Sequence, residues 1–306
     1  MLYCLYLYCL KLLYFSFQFH RTHLPRILTL SDTQYRRKEI LDEFCKDEKK
    51  PLSLARARVD LRNIIVNSNT GSLFCSLPKV ASTNWKLTFL SIDDKYKGKN
   101  LSAISGSAIH DMMRGPNLND RRMRTKTVLS DFYKFMFVRH PFERLASCYR
   151  NKFVMLDPTN RERPHYMTVY GSKILKLYRK GLSPREASKG FGVTFAEFAR
   201  WLIEKRVHEE HWSPIFDICR PCLINYDFIG HMSTLRADAI ETLHHIGLTD
   251  ATYFQENMST GAQYGYNVSS MHLAKQLFSK LDKGTVDALY KMYEKDFLAF
   301  GFTKDL

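Results

Sequence analysis

The fold is decided by residues 73–86, which read LFCSLPKVASTNWK. The apolar run over residues 73–77 is typical of a buried strand, Pro78 marks a short turn, and the pattern from Trp85 onward is helical. A strand that passes through a tight loop into a helix N-terminus forms an anion site, because unpaired backbone N–H groups and the positive end of the helix dipole face the bound group. Lys79 adds a mobile cation. The stretch therefore predicts a phosphate-binding loop.

This loop differs from that of the nucleoside triphosphatases, which needs G-x-x-x-x-G-K-[ST], because the only nearby glycine, Gly71, precedes the strand. A loop with Pro-Lys in place of the glycines resembles the phosphosulfate loop of sulfotransferases, which use 3′-phosphoadenosine 5′-phosphosulfate (PAPS). Within that class it resembles the Golgi carbohydrate sulfotransferases related to the chondroitin and dermatan 4-O-sulfotransferases. That family usually has Cys at the position of Ser82 and often Arg at that of Leu87.

The resemblance implies that one continuous segment contacts PAPS. Its residues are Pro78, Lys79, Val80, Ala81, Ser82, Thr83 and Asn84. From this segment alone, a strand-turn-helix that merely needs a tight turn stays open as an alternative.

Residues 132–150, FYKFMFVRHPFERLASCYR, form a second informative block. Residues 135–138 predict a short buried strand, and Pro141 suits the first turn of a helix. Arg139 is therefore expected at the carboxyl end of a strand, where open α/β sheets bind ligands, with Ser147 about two helical turns further on. This order matches the sulfotransferase 3′-phosphate motif, an arginine at a strand end followed by a serine on the next helix. The resemblance implies that Arg139 and Ser147 anchor the 3′-phosphate of PAPS.

Two anion-binding strand ends suit a cofactor that carries phosphate at two positions. The resemblance implies an α/β protein with the P-loop-like sulfotransferase fold, a mostly parallel central sheet flanked by helices. Apolar spacing predicts core-facing helices over residues 194–206 and 286–300, the second stopped by Gly301. A β-rich run is predicted over residues 225–229, followed by a helix that ends near His245.

At 306 residues the chain can hold one large α/β domain with short appendages. Its 46 Lys and Arg residues against 31 Asp and Glu residues give a net charge of +15. This charge favours anionic partners such as nucleic acid, an anionic membrane, an acidic polysaccharide or a phosphorylated cofactor, and does not choose among them. The basic run RRMRTK over residues 121–126 is most simply a solvated face, and its functional interpretation is a contact surface for an anionic acceptor.

Residues 1–19 are apolar and aromatic, broken only by Lys11 and a few polar residues, and form a candidate signal-anchor or signal peptide. The resemblance implies a single-pass type II protein of the Golgi membrane with a lumenal catalytic domain, whereas Arg21 and Arg26 after the segment favour the opposite orientation. A misassigned start codon is a further alternative. Residues 20–58 predict a solvated linker or a short helical stem, and residues 59–306 the sulfotransferase domain.

The sequons point to a secretory route more clearly than the cysteines do. Three N-glycosylation sequons begin at Asn100, Asn257 and Asn267. Five cysteines lie beyond the apolar segment, and an odd number cannot pair completely within one chain. With the resemblance, these features predict a Golgi glycoprotein.

Residues 208–222 contain the spacing His-x2-His followed by Cys-x2-Cys, which is also found in zinc sites. The same block, with its His-Trp pair, its Cys-x-Pro-Cys and the run LINYDFIG, instead resembles a third block of the carbohydrate sulfotransferases, which need no metal for transfer. We therefore expect no metal. Cys219 and Cys222 are expected in disulfides whose partners the sequence leaves open.

Sulfonate transfer to a hydroxyl needs a base for the hydroxyl proton and fixed cations for the charge that develops on oxygen. Lys79 is the predicted catalytic cation. His110 is the first candidate base, because it lies between the two cofactor motifs, where related glycan sulfotransferases carry a catalytic histidine. His211 is the second candidate base, and His140 is interpreted as structural.

The resemblance implies a carbohydrate sulfotransferase that uses PAPS and acts on an anionic glycan, first of all a chondroitin- or dermatan-type chain at the 4-O position. Another glycan acceptor, or an inactive relative that only binds glycosaminoglycan, stays open. The missing glycines count against a kinase-like P-loop enzyme. The sequence has no zinc finger, helix-turn-helix or aromatic RNA-binding signature, so we expect no nucleic-acid partner.

Overall fold

The computed structural model describes residues 31–48, 58–96, 99–101, 104–113, 115–154, 163–254 and 269–306. The candidate signal-anchor over residues 1–19 lies outside these ranges, as do Asn257 and Asn267 of two sequons. Within the described ranges, no helix combines the length and the apolar character that crossing a bilayer requires.

A four-stranded sheet forms the centre, in the order β1-β2-β3-β4. Strand β1 (Ile64–Asn67) runs antiparallel to β2 (Ser72–Cys75), and β2, β3 (Tyr133–Val138) and β4 (Phe228–His231) are parallel. Nearly every strand residue is buried, as expected for a parallel sheet covered by helices. The predicted α/β class with a mostly parallel sheet is confirmed.

The described residues also form fourteen α-helices. They are α1 (Asp32–Asp47), α2 (Ser82–Ser91), α3 (Gly106–Met112), α4 (Lys126–Ser130), α5 (Pro141–Tyr149), α6 (Arg163–Tyr166), α7 (Ser172–Tyr178), α8 (Pro184–Lys189), α9 (Phe195–Lys205), α10 (Ile215–Cys219), α11 (Pro221–Ile224), α12 (Leu235–His245), α13 (Ser270–Phe278) and α14 (Lys283–Ala299). A π-helical turn over Arg150–Val154 continues α5.

The predicted helices occur, with boundaries set by local capping. Helix α9 starts with a reciprocal capping box between Thr194 and Glu197. Helix α14 begins three residues before the predicted start, because the Asp282 side chain accepts a hydrogen bond from Thr285 N. Strand β4 begins later than predicted, because Asn225 takes a left-handed conformation (φ 52°) that ends α11.

Trp85 fixes helix α2 on the sheet and so fixes the loop that precedes it. Its indole is fully buried and lies 4.7 Å from the Phe135 ring and 5.5 Å from the Phe137 ring, both on β3. Phe74 of β2 stacks on Phe135 at 4.9 Å. Because large aromatic side chains bury the most apolar area per residue, this cluster anchors the β2-loop-α2 unit firmly.

Helix α1 belongs to the folded domain. Leu41 and Cys45 are buried on one face. The Gln34 side chain donates from Nε2 to Ile229 O at 3.0 Å and accepts at Oε1 from Ile229 N at 3.1 Å. Its amide thus pairs with the outer edge of β4 as a neighbouring strand would. The helix therefore differs from the solvated stem that the sequence predicts, because a buried face and a paired amide hold it against the sheet.

Two disulfides join distant parts of the chain, Cys45–Cys222 and Cys75–Cys219. The expectation that Cys219 and Cys222 form disulfides is confirmed, and their partners come from α1 and from the end of β2. Neither sulfur can serve as a thiolate ligand, so the Cys-x2-Cys spacing does not mark a zinc site. Cys148, on α5, is a buried free thiol.

Candidate active site

The loop between β2 and α2 is built without glycine. Lys79 (φ 71°) and Ala81 (φ 64°) both adopt the left-handed region, which costs a non-glycine residue roughly 1–2 kcal/mol. Such strain persists where the surrounding structure enforces it, commonly at ligand sites. Alternation between right- and left-handed residues forms a nest of backbone N–H groups that binds anions.

The helix end beyond the loop extends this anion site. Ala81 is the N-cap of α2 and supplies no side-chain acceptor, so the first N–H groups of the helix are not capped by it. Ser82 and Asn84 are buried in the first turn, and Thr83 between them is partly exposed. The backbone donors and hydroxyls predicted for this segment therefore surround one helix N-terminus.

Positive charge is concentrated around Lys79. Burial is the main reason why the pKa of Lys79 falls to about 7; an ionised Cys148 thiol would oppose this, and Arg139, Lys152 and Arg150 lower it further. A cluster of cations that lowers the pKa of Lys79 stores electrostatic energy, which a polyanion releases when it binds.

Arg139 immediately follows β3 and reaches the loop. Its Nη1 donates to Lys79 O at 3.1 Å, so the two predicted anion-binding strand ends are adjacent. Its Nη2 donates to Glu143 Oε1 at 3.0 Å and also contacts the Ser270 hydroxyl. Its Nε is buried and has no hydrogen-bond partner within the described ranges. A phosphate oxygen would satisfy this orphaned guanidinium N–H, so the residues fit a phosphate-bearing cofactor such as PAPS.

Ser147 lies on the buried side of α5, two turns after Arg139. Glu143 lies between them on the same helix. Burial opposes ionisation of Glu143, yet Arg139 overrides it and holds the pKa of the carboxyl below its usual value. Arg139 is therefore held in place by an ionised carboxylate before any phosphate binds.

Arg144 ties the loop to the segment that carries His211. It is 2% exposed, and all its hydrogen bonds described here go to backbone carbonyls: Nε to Pro78 O at 3.2 Å, Nη1 to Ser213 O at 2.7 Å and Nη2 to Glu210 O at 2.6 Å. The planar guanidinium suits this task, because its donors have fixed directions. The sequence analysis did not assign a role to Arg144.

His110 lies beside the loop, as its position between the motifs suggested. Its Nε2 lies 3.1 Å from Thr83 Oγ1, and its Nδ1 lies 2.8 Å from Lys86 Nζ. Because the Lys86 ammonium can only donate, Nδ1 accepts from it and Nε2–H donates to Thr83. In this arrangement His110 orients Thr83 through Nε2–H, and its Nδ1 lone pair faces the Lys86 ammonium.

His211 is paired with Glu209 and Tyr166. Its Nδ1 lies 3.0 Å from Glu209 Oε1 and 2.8 Å from Tyr166 OH, and the Tyr166 hydroxyl donates to the same Glu209 oxygen at 2.5 Å. Burial, countered by the hydrogen bond to Glu209, lowers the pKa of His211. Burial also opposes ionisation of Glu209, yet its interactions with His211 and Tyr166 together hold the pKa of the Glu209 carboxyl below its usual value. Neutral His211 thus donates Nδ1–H to ionised Glu209 and carries its lone pair on Nε2.

Lys152 lies between the loop and this pair. It is 2% exposed, on the π-helical turn after α5, and its ammonium lies 4.2 Å from the Tyr166 ring centre. Its charge lowers the pKa of both Lys79 and His211. The predicted catalytic cation and the second candidate base therefore share one neighbour.

Glu209, Glu210 and His211 lie close enough together to hold a metal ion. However, Glu209 and His211 Nδ1 are hydrogen-bonded to each other and to Tyr166, and Glu210 Oε2 accepts from Asn63 Nδ2 at 3.0 Å. These hydrogen bonds engage His211 Nδ1 and a carboxylate oxygen of each glutamate, and they orient the His211 ring.

Comparison with known proteins gives one family. The model of the sulfotransferase family matches residues 62–303. Carbohydrate sulfotransferase 11 of rat is 30% identical over 257 residues, covering 80% of this chain and 68% of that protein. Carbohydrate sulfotransferase 14 of human is 35% identical over 204 residues, covering 64% and 49%, and carbohydrate sulfotransferase 8 of mouse is 29% identical over 297 residues, covering 93% and 67%. No solved structure gives a significant match. The chain belongs to the sulfotransferase family.

Proposed function

We propose that this sulfotransferase moves a sulfonate group from PAPS to a hydroxyl of an anionic glycan, a chondroitin- or dermatan-type chain with sulfation at the 4-O position. The observation that carries the proposal is the adjacency of the Lys79 loop and Arg139, whose buried Nε is orphaned within the described ranges. The relatives with carbohydrate acceptors in their names support the acceptor class.

The donor would lie across two adjacent strand ends. The loop N–H groups and Lys79 hold the phosphosulfate end, and Arg139 with Ser147 holds the 3′-phosphate. PAPS supplies an activated sulfur whose bond to the 5′-phosphate oxygen breaks as the acceptor oxygen attacks it, leaving adenosine 3′,5′-bisphosphate (PAP). Lys79 stabilises the negative charge that develops on the departing oxygen.

Between the two candidate bases, the hydrogen bonds favour His211. Glu209 fixes the Nδ1–H tautomer and stabilises the imidazolium that forms when Nε2 takes the acceptor proton. His110 would have to take a proton beside the Lys86 ammonium, which disfavours a second positive charge. We therefore assign His110 to positioning Thr83 and the loop, and His211 to proton transfer.

We place the enzyme in the Golgi lumen. Two disulfides among the described cysteines fit an oxidising secretory compartment, since cytosolic proteins rarely keep such bonds. The apolar residues 1–19 would attach the protein to the membrane.

Labelled PAPS offered with desulfated chondroitin, dermatan and heparosan chains tests the function directly. The wild-type protein should label chondroitin or dermatan, and disaccharide analysis should place the label at the 4-O position. Lys79→Met should abolish transfer in a folded protein, whereas Lys280→Met, which removes an exposed cation after α13, should leave it unchanged. Transfer by Lys79→Met at the wild-type rate would refute the loop assignment.

Comparison of His211→Ala with His110→Ala separates the base from the positioning residue. His211→Ala should lower kcat by about a hundredfold or more, the usual contribution of a general base, with PAP affinity retained. His110→Ala should mainly raise the KM for PAPS, because Thr83 loses its partner. The reverse pattern would make His110 the base.

A further inference from the structure

A second cluster of cations lies outside the donor site. A cavity of about 360 Å³ beside β1 is lined by four arginines, Arg58, Arg62, Arg121 and Arg124, and by one carboxylate, Asp60. None of these residues takes part in the donor site described above. The lining therefore carries a surplus of positive charge that the proposed chemistry does not use.

The cavity is built by two chain segments that β1 holds together. Residues 116–118 run along the outer edge of β1, with Val66 N donating to Pro116 O and Leu118 N to Ile64 O, both at 2.9 Å. Arg121 and Arg124 follow this segment, and Arg58 and Arg62 precede β1. The four guanidiniums lie close together because both segments flank β1 at the same end of the strand.

One wall of the cavity is rigid. The Arg124 side chain is buried, and its Nε donates to Leu118 O at 2.7 Å. Burial, with a further contribution from Arg121, lowers the pKa of Arg124. On the other wall, Arg62 forms an ion pair with Asp60 at 2.8 Å, and both side chains are more than half exposed. One fixed arginine and three exposed ones make a site that an anion can enter from solvent.

The cavity opens at the same edge of the sheet as the donor loop. Because β1 is antiparallel to β2, its first residue Ile64 pairs with Cys75, the last residue of β2 before the loop. Asn63 then joins the two regions, donating from Nδ2 to Ser76 O at 3.2 Å and to Glu210 Oε2 at 3.0 Å. Glu210 is adjacent in the chain to His211. The segment that lines the arginine cavity therefore borders the segment that carries His211, as an acceptor chain in contact with both would require.

We propose that this arginine cavity binds a carboxylate or sulfate group of the glycan acceptor, at least one sugar unit away from the hydroxyl that receives the sulfonate. Guanidinium groups match the planar oxygens of carboxylate and the oxygens of sulfate with paired hydrogen bonds. The volume suits one sugar unit with its charged group. The cavity thereby selects acidic chains over neutral ones. This inference rests on the proposed function, whose acceptor it specifies.

The test compares Arg58→Glu/Arg121→Glu with a matched control, Lys280→Glu/Lys283→Glu, which makes the same change in net charge. The two control lysines are exposed near the start of α14. About 20 Å of helix separates Lys283 from Phe297, which packs against His140 beside Arg139. Acceptors are desulfated chondroitin, its carboxyl-reduced form, and a sulfated, carboxyl-reduced chondroitin.

With desulfated chondroitin, the arginine variant should raise the acceptor KM by about tenfold or more, the effect of losing one charge-assisted hydrogen bond. Its kcat, PAP affinity and melting temperature should match those of the control. With the neutral, carboxyl-reduced chain the two variants should have equal KM. If the two variants again differ in acceptor KM with the sulfated, carboxyl-reduced chain, sulfate is a second ligand of the cavity. If their KM values are equal with that chain, the cavity binds carboxylate alone.

An unchanged acceptor KM in an active arginine variant overturns the cavity assignment and leaves the proposed function standing. If the wild type transfers sulfonate to no glycan, both proposals fall. Should the double variant fail to fold, Arg121→Gln decides, since Arg121 is exposed: a KM for desulfated chondroitin equal to that of the wild type refutes the cavity.

Discussion

Binding of PAP should weaken as the pH rises above neutral, because Lys79 must be charged to hold it. In the free protein the pKa of Lys79 is lowered to about 7, chiefly by burial and then by neighbouring cations. A bound bisphosphate favours the ammonium and raises this pKa. Binding above pH 7 must therefore take up a proton, and affinity falls as deprotonated Lys79 accumulates. Below the free pKa, Lys79 is already charged and contributes no pH dependence.

The size of the effect follows from this pKa. Well above it, the apparent dissociation constant grows about tenfold per pH unit. With a free pKa of about 7, the constant should rise roughly 25-fold between about pH 7.5 and about pH 9. The phosphates of PAP lose their last protons near pH 6, so they contribute little in this range.

Titration calorimetry in buffers of different ionisation enthalpy measures both the affinity and the protons taken up. The matched control is Lys79→Arg, since a guanidinium keeps its charge throughout this range. The wild type should take up close to one proton at about pH 9, and Lys79→Arg none. Equal pH dependence in the two proteins, or no proton uptake by the wild type, would refute the lowered pKa of Lys79.

Three further perturbations test other parts of the site. Arg144→Met keeps the apolar stem but leaves three carbonyls unpaired, so the free energy of unfolding should fall by about 3 kcal/mol in urea denaturation. Unchanged PAP affinity in the folded variant would contradict the role of Arg144 in holding the loop. Cys45→Ser/Cys222→Ser should lower the free energy of unfolding by about 3–4 kcal/mol. The other disulfide already closes most of the same span, so this one closes an additional loop of only about 30 residues. A loss of less than half this size in urea denaturation would contradict that loop length as the basis of the stabilisation. Glu209→Gln should lower kcat and move the acidic limb of the pH profile of kcat to lower pH, since the carboxylate raises the pKa of His211. An unshifted acidic limb would exclude His211 as the titrating base.

Contiguous signals made the placement of the two proposed donor-binding segments predictable. The loop over residues 78–84 and the Arg139 motif each occupy a single strand end, and local hydrophobic patterns were enough to place both at the carboxyl edge of a sheet. The left-handed backbone of Lys79 was not predictable in the same way. Without a glycine in the loop, nothing in the sequence marks where the chain takes positive φ.

Contacts across long stretches of chain could not be predicted from the sequence. Arg144 meets Pro78 and Ser213 across 66 and 69 residues, and Tyr166 meets His211 across 45. Such partners are chosen by the packing of whole helices, which no local periodicity encodes. The same limit explains why the cysteines were expected to pair without their partners being assigned.

Gln34 has a practical consequence for anyone who shortens this protein. Trimming it to the span shared with its family, residues 62–303, would delete helix α1 and with it the amide that occupies the rim of β4. An exposed strand edge of this kind pairs with strands from other molecules, and Cys222 would be left with a free thiol. Such a fragment should aggregate and form intermolecular disulfides, even though every residue proposed for catalysis is intact.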